Sequence, residues 1–496
     1  MNRKTQTIVR VIAIVLAVLM VGGMVTSVLI PSFAEEAAPE RDRYEMNIEY
    51  LEDEQALRIS QRLVYHNPKS YDLDRAEFYA AANMFRRESA LCYEDASLSE
   101  VFPYGYAPSG IDGLTVTVDG ETAVWGWSGE NETVLVVYAD IPAGGSCVFE
   151  MRYYVLLGEN RAFLGADDLD TRLSGFYLIA GIPDDTYHDW QICDPTQLTR
   201  WVYTAAADYD VTLILPDNYT AAGTGIRTRD GNTWRFTAEN VREFACLFGK
   251  RYREYTFETD SGVTVRVLAN DRGGASVLRS AAKEAIRVFE ERLGAFPLSE
   301  LTIAESGYAV GAMSFPGLIW VRNADMNSAD TLRLAVYTEI ARQYIGWAAY
   351  AQPVSDAWLS DTLCAYLGLM VTNETKGEAA FLKALNGTVL DAINQTIPGG
   401  LYITADARLF TADEYELITL DRGCVVMHEL RLAMGDEAFW DGMRLFYEMG
   451  AEKDVLGEMD LVDALNSADG GDWEAFLTDW LFNVDEYVTQ QVDWYE

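Results

Sequence analysis

The stretch LAVYTEIARQYIGW, residues 334–347, lies inside a longer segment in which apolar residues recur at helical spacing. Residues four apart share one face of a helix, so Thr338 and Arg342 are expected to face the same way, with Glu339 directly after the first. Taken alone, this pattern indicates little, because a glutamate on an amphipathic helix is most often a solvated or capping residue. Its register becomes informative only together with segments elsewhere in the chain.

The chain changes its apolar period along its length. From about residue 40 to 255, alternating or continuous apolar runs predict strands, and residues 227–238 predict a hairpin about Asp230-Gly231. After about residue 270, helical spacing dominates. The 496 residues suffice for two or three domains of roughly 150 residues each. The sequence therefore predicts an α+β fold, with an N-terminal β-domain at residues 35–254 and a mainly α-helical domain at residues 255–496.

Individual elements follow from the same patterns. The predicted strands cover residues 114–118, 133–141, 147–157, 210–216, 301–306 and 317–321, and the predicted helices cover residues 276–296, 331–350, 356–370, 415–435, 437–450 and 472–482.

Residues 1–34 differ from the rest of the chain. Arg3, Lys4 and Arg10 precede twenty uncharged residues, Val11 to Ile30, and small residues at 32 and 34 form a plausible cleavage site. A removed signal peptide and an uncleaved membrane anchor are about equally compatible with this pattern. Both predict an extracytoplasmic protein, secreted or anchored, with membrane contact through this segment if it is uncleaved.

The charge and the scarcity of metal-binding side chains exclude some functions. The net charge is -39, from 77 acidic and 38 basic residues, which argues against nucleic acid as a partner and is typical of a soluble acidic protein. Three isolated histidines argue against a histidine-rich metal site. Six cysteines without a CxxC pair are expected to be mainly buried free thiols, with any one disulfide less expected.

Four blocks, in this order, carry a resemblance to a known family. Residues 311–317, GAMSFPG, look like a GAMEN-PG segment, and residues 338–342, TEIAR, have the register of an HExxH helix. Residues 358–368, WLSDTLCAYLG, are similar to WLNEGFAxY, and residues 421–423, DRG, fall where Glu-Lys-Gly is expected. Together the blocks resemble zinc aminopeptidases of the membrane alanine aminopeptidase type, which are gluzincins. The resemblance covers about residues 45–485.

The resemblance implies a fold and a set of roles. The fold is a saddle-like all-β domain followed by a thermolysin-like peptidase domain. In the family, a glutamate activates a zinc-bound water, a tyrosine supports the oxyanion, and the glutamate of GAMEN holds the free α-amine of the substrate. The Gly-Ala-Met segment pairs with the substrate backbone, so Gly311, Ala312 and Met313 are the expected substrate-binding residues here.

Most of the implied chemistry is missing from this chain. The three ligand positions hold Thr338, a poor zinc ligand, Arg342, which offers no lone pair, and Asp361 in place of a glutamate. In addition, Leu420 stands at the tyrosine position and Ser314 at the amine-binding position. Only Glu339 keeps its general-base position, without a metal-bound water to activate. The sequence therefore predicts no bound metal and lost peptidase activity.

Loss of zinc would leave Glu339 and Asp361 without a compensating cation. We expect the guanidinium of Arg342 to lie within hydrogen-bonding distance of one of them, as an internal cation in place of the metal. The alternative is that Arg342 extends to solvent.

These observations leave several functions open. The favoured one is an exported, catalytically inactive aminopeptidase-like protein that serves as a binding or structural module, with peptides or an extracytoplasmic protein as its partner. Aromatic side chains at residues 308, 315, 320, 347 and 358 would line an apolar cleft in that case, although core positions are more common for them. The alternative is an active zinc aminopeptidase with an unrecognised ligand set, and hydrolysis by Ser314 or Cys364 is weaker still.

Overall fold

The computed structural model describes residues 41–488, apart from 89–90, 92, 130, 187, 194, 197–199 and 395–400. The predicted signal peptide or anchor, residues 1–34, lies outside this part of the chain. Over the described residues, no helix is both long enough and apolar enough to cross a membrane. Cys92 is outside the description, and the five cysteines within it are free thiols.

The N-terminal region is rich in strands, as the alternating pattern predicts. Its strands are β1 (Asp42–Leu51), β2 (Ala56–His66), β3 (Leu73–Tyr79), β4 (Gly110–Val118), β5 (Glu121–Thr122), β6 (Val124–Ser128), β7 (Val134–Ile141), β8 (Ser146–Leu156), β9 (Leu164–Ala166), β10 (Thr171–Leu173), β11 (Ile179–Ala180), β12 (Ile182–Pro183), β13 (Trp190–Gln191), β14 (Ala207–Ile214), β15 (Thr220–Gly223), β16 (Ile226–Asp230), β17 (Thr233–Val241) and β18 (Cys246–Gly249). A short helix, α1 (Asp95–Val101), and two 3-10 turns, Glu52–Glu54 and Ala81–Phe85, interrupt them.

An eight-stranded sheet forms the largest layer, in the order β16-β17-β14-β1-β2-β8-β4-β5. Strand β1 shows why it forms, because its side chains alternate between buried and solvent-facing positions along the whole strand. It pairs parallel with β14 and antiparallel with β2. The predicted hairpin is confirmed, since β16 and β17 pair antiparallel up to Asp230 and Thr233, and Gly231 in the turn has a φ of 59°.

The C-terminal region is mainly helical. It begins with a five-stranded sheet, β19 (Arg253–Glu258), β20 (Thr264–Ala269), β21 (Glu300–Ser306), β22 (Ala312–Phe315) and β23 (Leu318–Arg322), in the order β19-β20-β21-β23-β22. Its helices are α2 (Arg272–Arg292), α3 (Ala329–Tyr344), α4 (Ala357–Lys376), α5 (Glu378–Asn394), α6 (Ala412–Tyr415), α7 (Gly423–Met434), α8 (Asp436–Met449), α9 (Glu458–Asp469) and α10 (Trp473–Val488), with 3-10 turns at Asn323–Asn327 and Ala407–Leu409. The division predicted after residue 254 falls inside β19 and stays a prediction.

Two predicted helices differ from the structure at informative places. The helix predicted over 331–350 ends at Tyr344, because the backbone of Ile345 is extended, with a φ of -109° and a ψ of 99°, and Gly346 continues the turn with a φ of 134°. The helix predicted over 415–435 begins with a π-helical segment, Glu416–Arg422, before α7. A π turn holds more residues than an α turn, so side chains there lie in a different register. Both places border the cavity described next.

Candidate functional site

A cavity of about 330 Å³ is lined by residues from both regions of the chain. The C-terminal region contributes β22, one face of α3, the start of α4 and the π-helical segment. The N-terminal region contributes the loop before β14 and the segments beside β10 and β18. The lining includes Ser174, Arg200, Glu243, Tyr308, Ala312, Met313, Ser314, Thr338, Glu339, Arg342, Ser360, Asp361, Tyr415 and Leu420. The structure therefore brings the positions marked by the resemblance, Ser314, Thr338, Arg342, Asp361 and Leu420, into one cavity.

Arg342 joins the two acids of the cavity. Its Nε donates to Oε2 of Glu339 at 3.1 Å, and its Nη1 donates to Oδ1 of Asp361 and to Oγ of Ser360. Glu339 and Asp361 are both buried. The contact expected from the sequence is therefore confirmed, and Arg342 reaches both carboxylates. We call Glu339, Arg342 and Asp361 the ion-pair cluster.

Burial and charge shape the ionisation of this cluster. Burial raises the pKa of Glu339 above its ordinary value, although the neighbouring Arg342 opposes this shift. Burial alone would lower the pKa of Arg342, but the two carboxylates outweigh it and raise that pKa well above its ordinary value. The guanidinium thus keeps its proton permanently and compensates the acids around it.

Tyr415 is a site residue that the sequence analysis missed. Its hydroxyl is buried and donates to Oδ2 of Asp361 at 2.5 Å, so both oxygens of that carboxylate have a partner. It ends α6, directly before the π-helical segment that carries Leu420 to the cavity. Leu420 holds the position that the resemblance gives to the tyrosine. No local pattern relates Tyr415 to Asp361, because 54 positions separate them.

Ser314 lies at the edge of the cavity and is held by the neighbouring helix. Its hydroxyl donates to the backbone oxygen of Glu339 at 3.2 Å and accepts from Nε2 of Gln343 at 2.6 Å. Gln343 also donates to the carbonyl of Phe315 and accepts from the amide of Gly317, so it ties α3 to β22. Neither bond gives Ser314 a base that would make it a nucleophile.

The other suggested nucleophile, Cys364, is also unsuited to nucleophilic attack. Its Sγ lies 2.8 Å from the backbone oxygen of Ile345, and burial raises its pKa to about 12. A thiol in that environment stays protonated and inert near neutral pH.

The predicted substrate-binding residues lie on an exposed sheet edge. Strand β22, which contains Ala312 and Met313, is the last strand of its sheet and pairs only with β23. Gly311 precedes it, is exposed and has a φ of 64°. Ala312 and Met313 line the cavity, and the unpaired side of an edge strand carries the main-chain groups that strand pairing with a peptide requires.

Arg200 is a second cationic residue of the cavity that the sequence analysis missed. Its guanidinium lies over the ring of Trp347, 3.2 Å from the centroid, and its Nη1 donates to the carbonyl of Ser314 at 3.1 Å. No family motif or local spacing marks this residue, because 114 positions separate it from Ser314.

The aromatic residues considered for a cleft mostly serve the core. Only Tyr308 lines the cavity. Phe315, Trp320 and Trp347 belong to one small buried cluster, and Trp358 belongs to the main core. Trp347 does not line the cavity, and its ring packs against the guanidinium of Arg200.

The residues at the implied zinc position do not fit a zinc ion. Thr338 supplies a hydroxyl, Arg342 supplies a guanidinium without a lone pair, and both oxygens of Asp361 are engaged by other donors. Among the described residues, no group of three or more His, Cys, Asp or Glu side chains is arranged to hold a metal.

The chain is similar in sequence to parts of known aminopeptidases. No family model matches the chain. Aminopeptidase N of Lactococcus lactis subsp. lactis is 26% identical over 259 residues, which are 48% of this chain and 30% of the relative. Mouse (Mus musculus) aminopeptidase RNPEPL1 is 24% identical over 177 residues, 34% of this chain and 24% of the relative. The matched segments thus span less than a third of either relative.

Solved structures extend the comparison over most of the chain. An M1 zinc metallopeptidase from Deinococcus radiodurans superposes with a TM-score of 0.59 and 15% identity, covering 89% of this chain and 94% of that one. A mutant of that enzyme bound to a Tyr-Ser-Ala substrate has the same scores. A two-domain M1 zinc metallopeptidase mutant bound to L-arginine gives a TM-score of 0.61. The chain therefore has the fold of a two-domain M1 peptidase, and its sequence is peptidase-like.

Proposed function

We propose that this chain is a degenerate member of the M1 aminopeptidase family, a peptide-binding protein in which the ion-pair cluster stands in place of the zinc centre. The observation that carries the proposal is that Arg342 hydrogen-bonds both Glu339 and Asp361. A protonated guanidinium and a divalent cation cannot share that position, because they repel each other and the guanidinium has no lone pair.

In this proposal, the cluster stabilises the fold around the cavity in place of a metal. Two buried carboxylates without a cation would cost several kcal/mol. Arg342 compensates both of them, and Ser360 and Tyr415 complete the hydrogen bonds of the cluster. Glu339 then serves as a partner of Arg342 rather than as a base.

Binding of peptides needs fewer groups than their hydrolysis. An extended peptide can add to the edge of β22 at Ala312 and Met313 through main-chain hydrogen bonds, which do not depend on the lost side chains. The M1 structure bound to Tyr-Ser-Ala shows a ligand of this class in a protein of the same fold. We therefore propose short peptides as the ligands of this cavity, in a saddle-like β-domain joined to a thermolysin-like domain.

Aminoacyl reporter substrates test whether the chain has lost peptidase activity, as we propose. The purified chain and its Glu339→Gln variant should release no amino acid above background, with or without added zinc. Turnover that a chelator and Glu339→Gln both abolish would overturn the proposal and favour an active enzyme with an unrecognised ligand set.

We also propose that the chain acts outside the cytoplasm, with peptides or an extracytoplasmic protein as its partner. The basic start and apolar run of residues 1–34 support this. N-terminal sequencing of the protein purified from its native cells, after separation of membrane and soluble fractions, tests it. A cytoplasmic protein that keeps Met1 and is not bound to membranes would contradict it.

A further inference from the structure

Arg200 is fixed in place at the wall of the cavity. Its guanidinium lies over the ring of Trp347, and one of its N–H groups is bound to the carbonyl of Ser314. These two contacts hold the cation in position. A guanidinium has five N–H donors, and within the described chain this one makes a single hydrogen bond. Donors therefore remain for a ligand in the cavity.

Glu243 attracts Arg200 electrostatically, but the two residues do not form a close ion pair. Glu339 and Asp361 are both paired with Arg342, whereas no carboxylate of the described residues lies within 4.0 Å of the guanidinium of Arg200. Glu243 also lines the cavity, but its Oε1 accepts from the hydroxyl of Ser174 at 2.9 Å. Burial lowers the pKa of Arg200 to about 10, with Glu243 opposing the shift. A desolvated cation of this kind is stabilised by an anion that enters the cavity.

The position of Arg200 relative to the sheet edge decides which part of a peptide it meets. The guanidinium binds the carbonyl of Ser314, within edge strand β22. Because the guanidinium already occupies that carbonyl, a peptide that pairs with Ala312 and Met313 would stop pairing with the strand beside Arg200. The terminal group of that peptide faces a fixed cation, which attracts a carboxylate and repels a protonated amine.

The geometry points to Arg200 as a carboxylate-binding residue, so that this cavity captures peptides or amino acids by their free C-terminal carboxylate. The inference rests on the proposal that the cavity binds peptides, and it reverses the end of the ligand that is recognised. Ser314, at the position where the resemblance implies an amine-binding glutamate, supplies no charge. The charge at that position comes from Arg200 and is positive.

The overall charge of the cavity is the strongest argument against this inference. The lining holds three acids, Glu243, Glu339 and Asp361, against two arginines, and an excess of acid would favour an amine. The positions of these charges matter more for a ligand than their sum. Arg342 lies between two of the acids, and burial raises the pKa of Glu243 although Arg200 and Ser174 oppose that shift.

Isothermal titration calorimetry on the full chain tests the inference with three peptides. They are N-acetyl-Tyr-Ser-Ala with a free carboxylate, the same acetylated peptide as its C-terminal amide, and Tyr-Ser-Ala amide with a free amine. Loss of charge-assisted hydrogen bonds to the guanidinium should weaken binding of both amides on the order of 10- to 100-fold relative to the free acid. Free alanine as a fourth ligand distinguishes an amino acid site from a peptide site.

Variants of Arg200 assign the effect to this side chain. Arg200→Gln should bring the acetylated acid and amide to within about twofold of each other, and Arg200→Lys should keep part of the preference. Arg229→Gln is the matched control, because Arg229 also lies over a tryptophan, Trp234, and donates to a backbone carbonyl, but is exposed and outside the cavity. It should bind all peptides as the unmodified chain does.

Each outcome decides the matter. Equal binding of acid and amide by the unmodified chain would overturn the inference and leave peptide binding standing. Tighter binding of the peptide with a free amine would overturn it in favour of the opposite polarity. Failure of every ligand to bind would overturn both the inference and peptide binding. If Arg200→Gln does not fold, the comparison of acid and amide on the unmodified chain and on Arg200→Lys decides alone.

Discussion

At the scale of single residues, one arginine accounts for how the cavity tolerates two buried acids. Arg342 lies between Glu339 and Asp361 and hydrogen-bonds both. The net stability of a buried ion pair is small, because desolvation offsets attraction, but removing one partner leaves an uncompensated charge. Removing Arg342 is therefore expected to destabilise the protein, because Glu339 and Asp361 would remain buried without a compensating cation.

Arg342→Met tests this directly. The substitution keeps an apolar side chain of similar reach and removes the charge, so we expect the free energy of unfolding to fall by about 3–5 kcal/mol. Arg333→Met on the same helix is the control, because Arg333 forms a more exposed pair with Glu284 and should cost less than about 1 kcal/mol. Urea unfolding followed by circular dichroism measures both.

A rescue experiment separates charge from packing. Adding Glu339→Gln and Asp361→Asn to Arg342→Met removes the buried negative charges, so the triple variant should regain most of the lost stability. The account is wrong at this scale if Arg342→Met costs no more than Arg333→Met.

At the scale of elements, close packing of α3 on α4 holds the cluster together. A Cβ built on Gly368 would lie 2.5 Å from Oγ1 and 2.9 Å from the backbone N of Thr338. The approach of the two helices thus depends on a glycine at this position. This contact lies one turn before Arg342 and sets the distance that Arg342 must span to Asp361.

Gly368→Ala should therefore destabilise the protein, by about 1–3 kcal/mol, because the backbone of α3 must move away. Gly387→Ala is the matched control within helix α5, since a Cβ there meets nothing within 4 Å. That change should instead stabilise by about 0.5–1 kcal/mol through helix propensity. Thermal and urea unfolding of both variants should move in opposite directions, and a shift in the same direction would contradict the packing argument.

Helix α7 carries a half-buried acid, Glu429, that makes stability depend on pH. Burial raises the pKa of Glu429 to about 7, and its Oε1 has no hydrogen-bond partner in the described part of the chain. Because the folded pKa exceeds the unfolded one, the folded state binds more protons between them. Stability from this group is present below about pH 4.5 and is lost as the pH rises towards 7.

Glu429→Gln should remove this loss. The variant should gain about 1 kcal/mol over the unmodified chain between about pH 5 and 8, a value reduced for the partial exposure of the side chain. Denaturant titrations at both pH values measure the gain, and the exposed Glu416→Gln serves as the control. An equal difference at both pH values would show that Glu429 is not the titrating group.

At the scale of the whole molecule, the sequence predicted the order of regions better than the site. Apolar periodicity depends on neighbours in the chain, so the strands, the hairpin at Gly231 and the helices were predictable. The end of α3 at Tyr344 was not predictable, because the change of backbone direction at Ile345 and Gly346 leaves no periodic signal in the sequence. The π-helical segment was not predictable either, because its wider turn does not change which residues are apolar.

Long-range contacts explain the rest of the difference. The contact of Arg342 with Asp361 was predictable, because register and the need for charge compensation both indicated it. Tyr415 and Arg200 were not, because each reaches the cavity through contacts between distant parts of the chain. The resemblance marked only positions in or directly beside four short blocks, and neither Tyr415 nor Arg200 is one of them.

The zinc content of the purified chain tests the central claim most directly. The unmodified protein and the double variant Thr338→His with Arg342→His are incubated with zinc, desalted and analysed by inductively coupled plasma mass spectrometry. If a guanidinium stands in place of the metal, the unmodified chain retains no zinc above background, and the double variant gains it with Asp361 as the third ligand. Stoichiometric zinc in the unmodified chain would contradict the account.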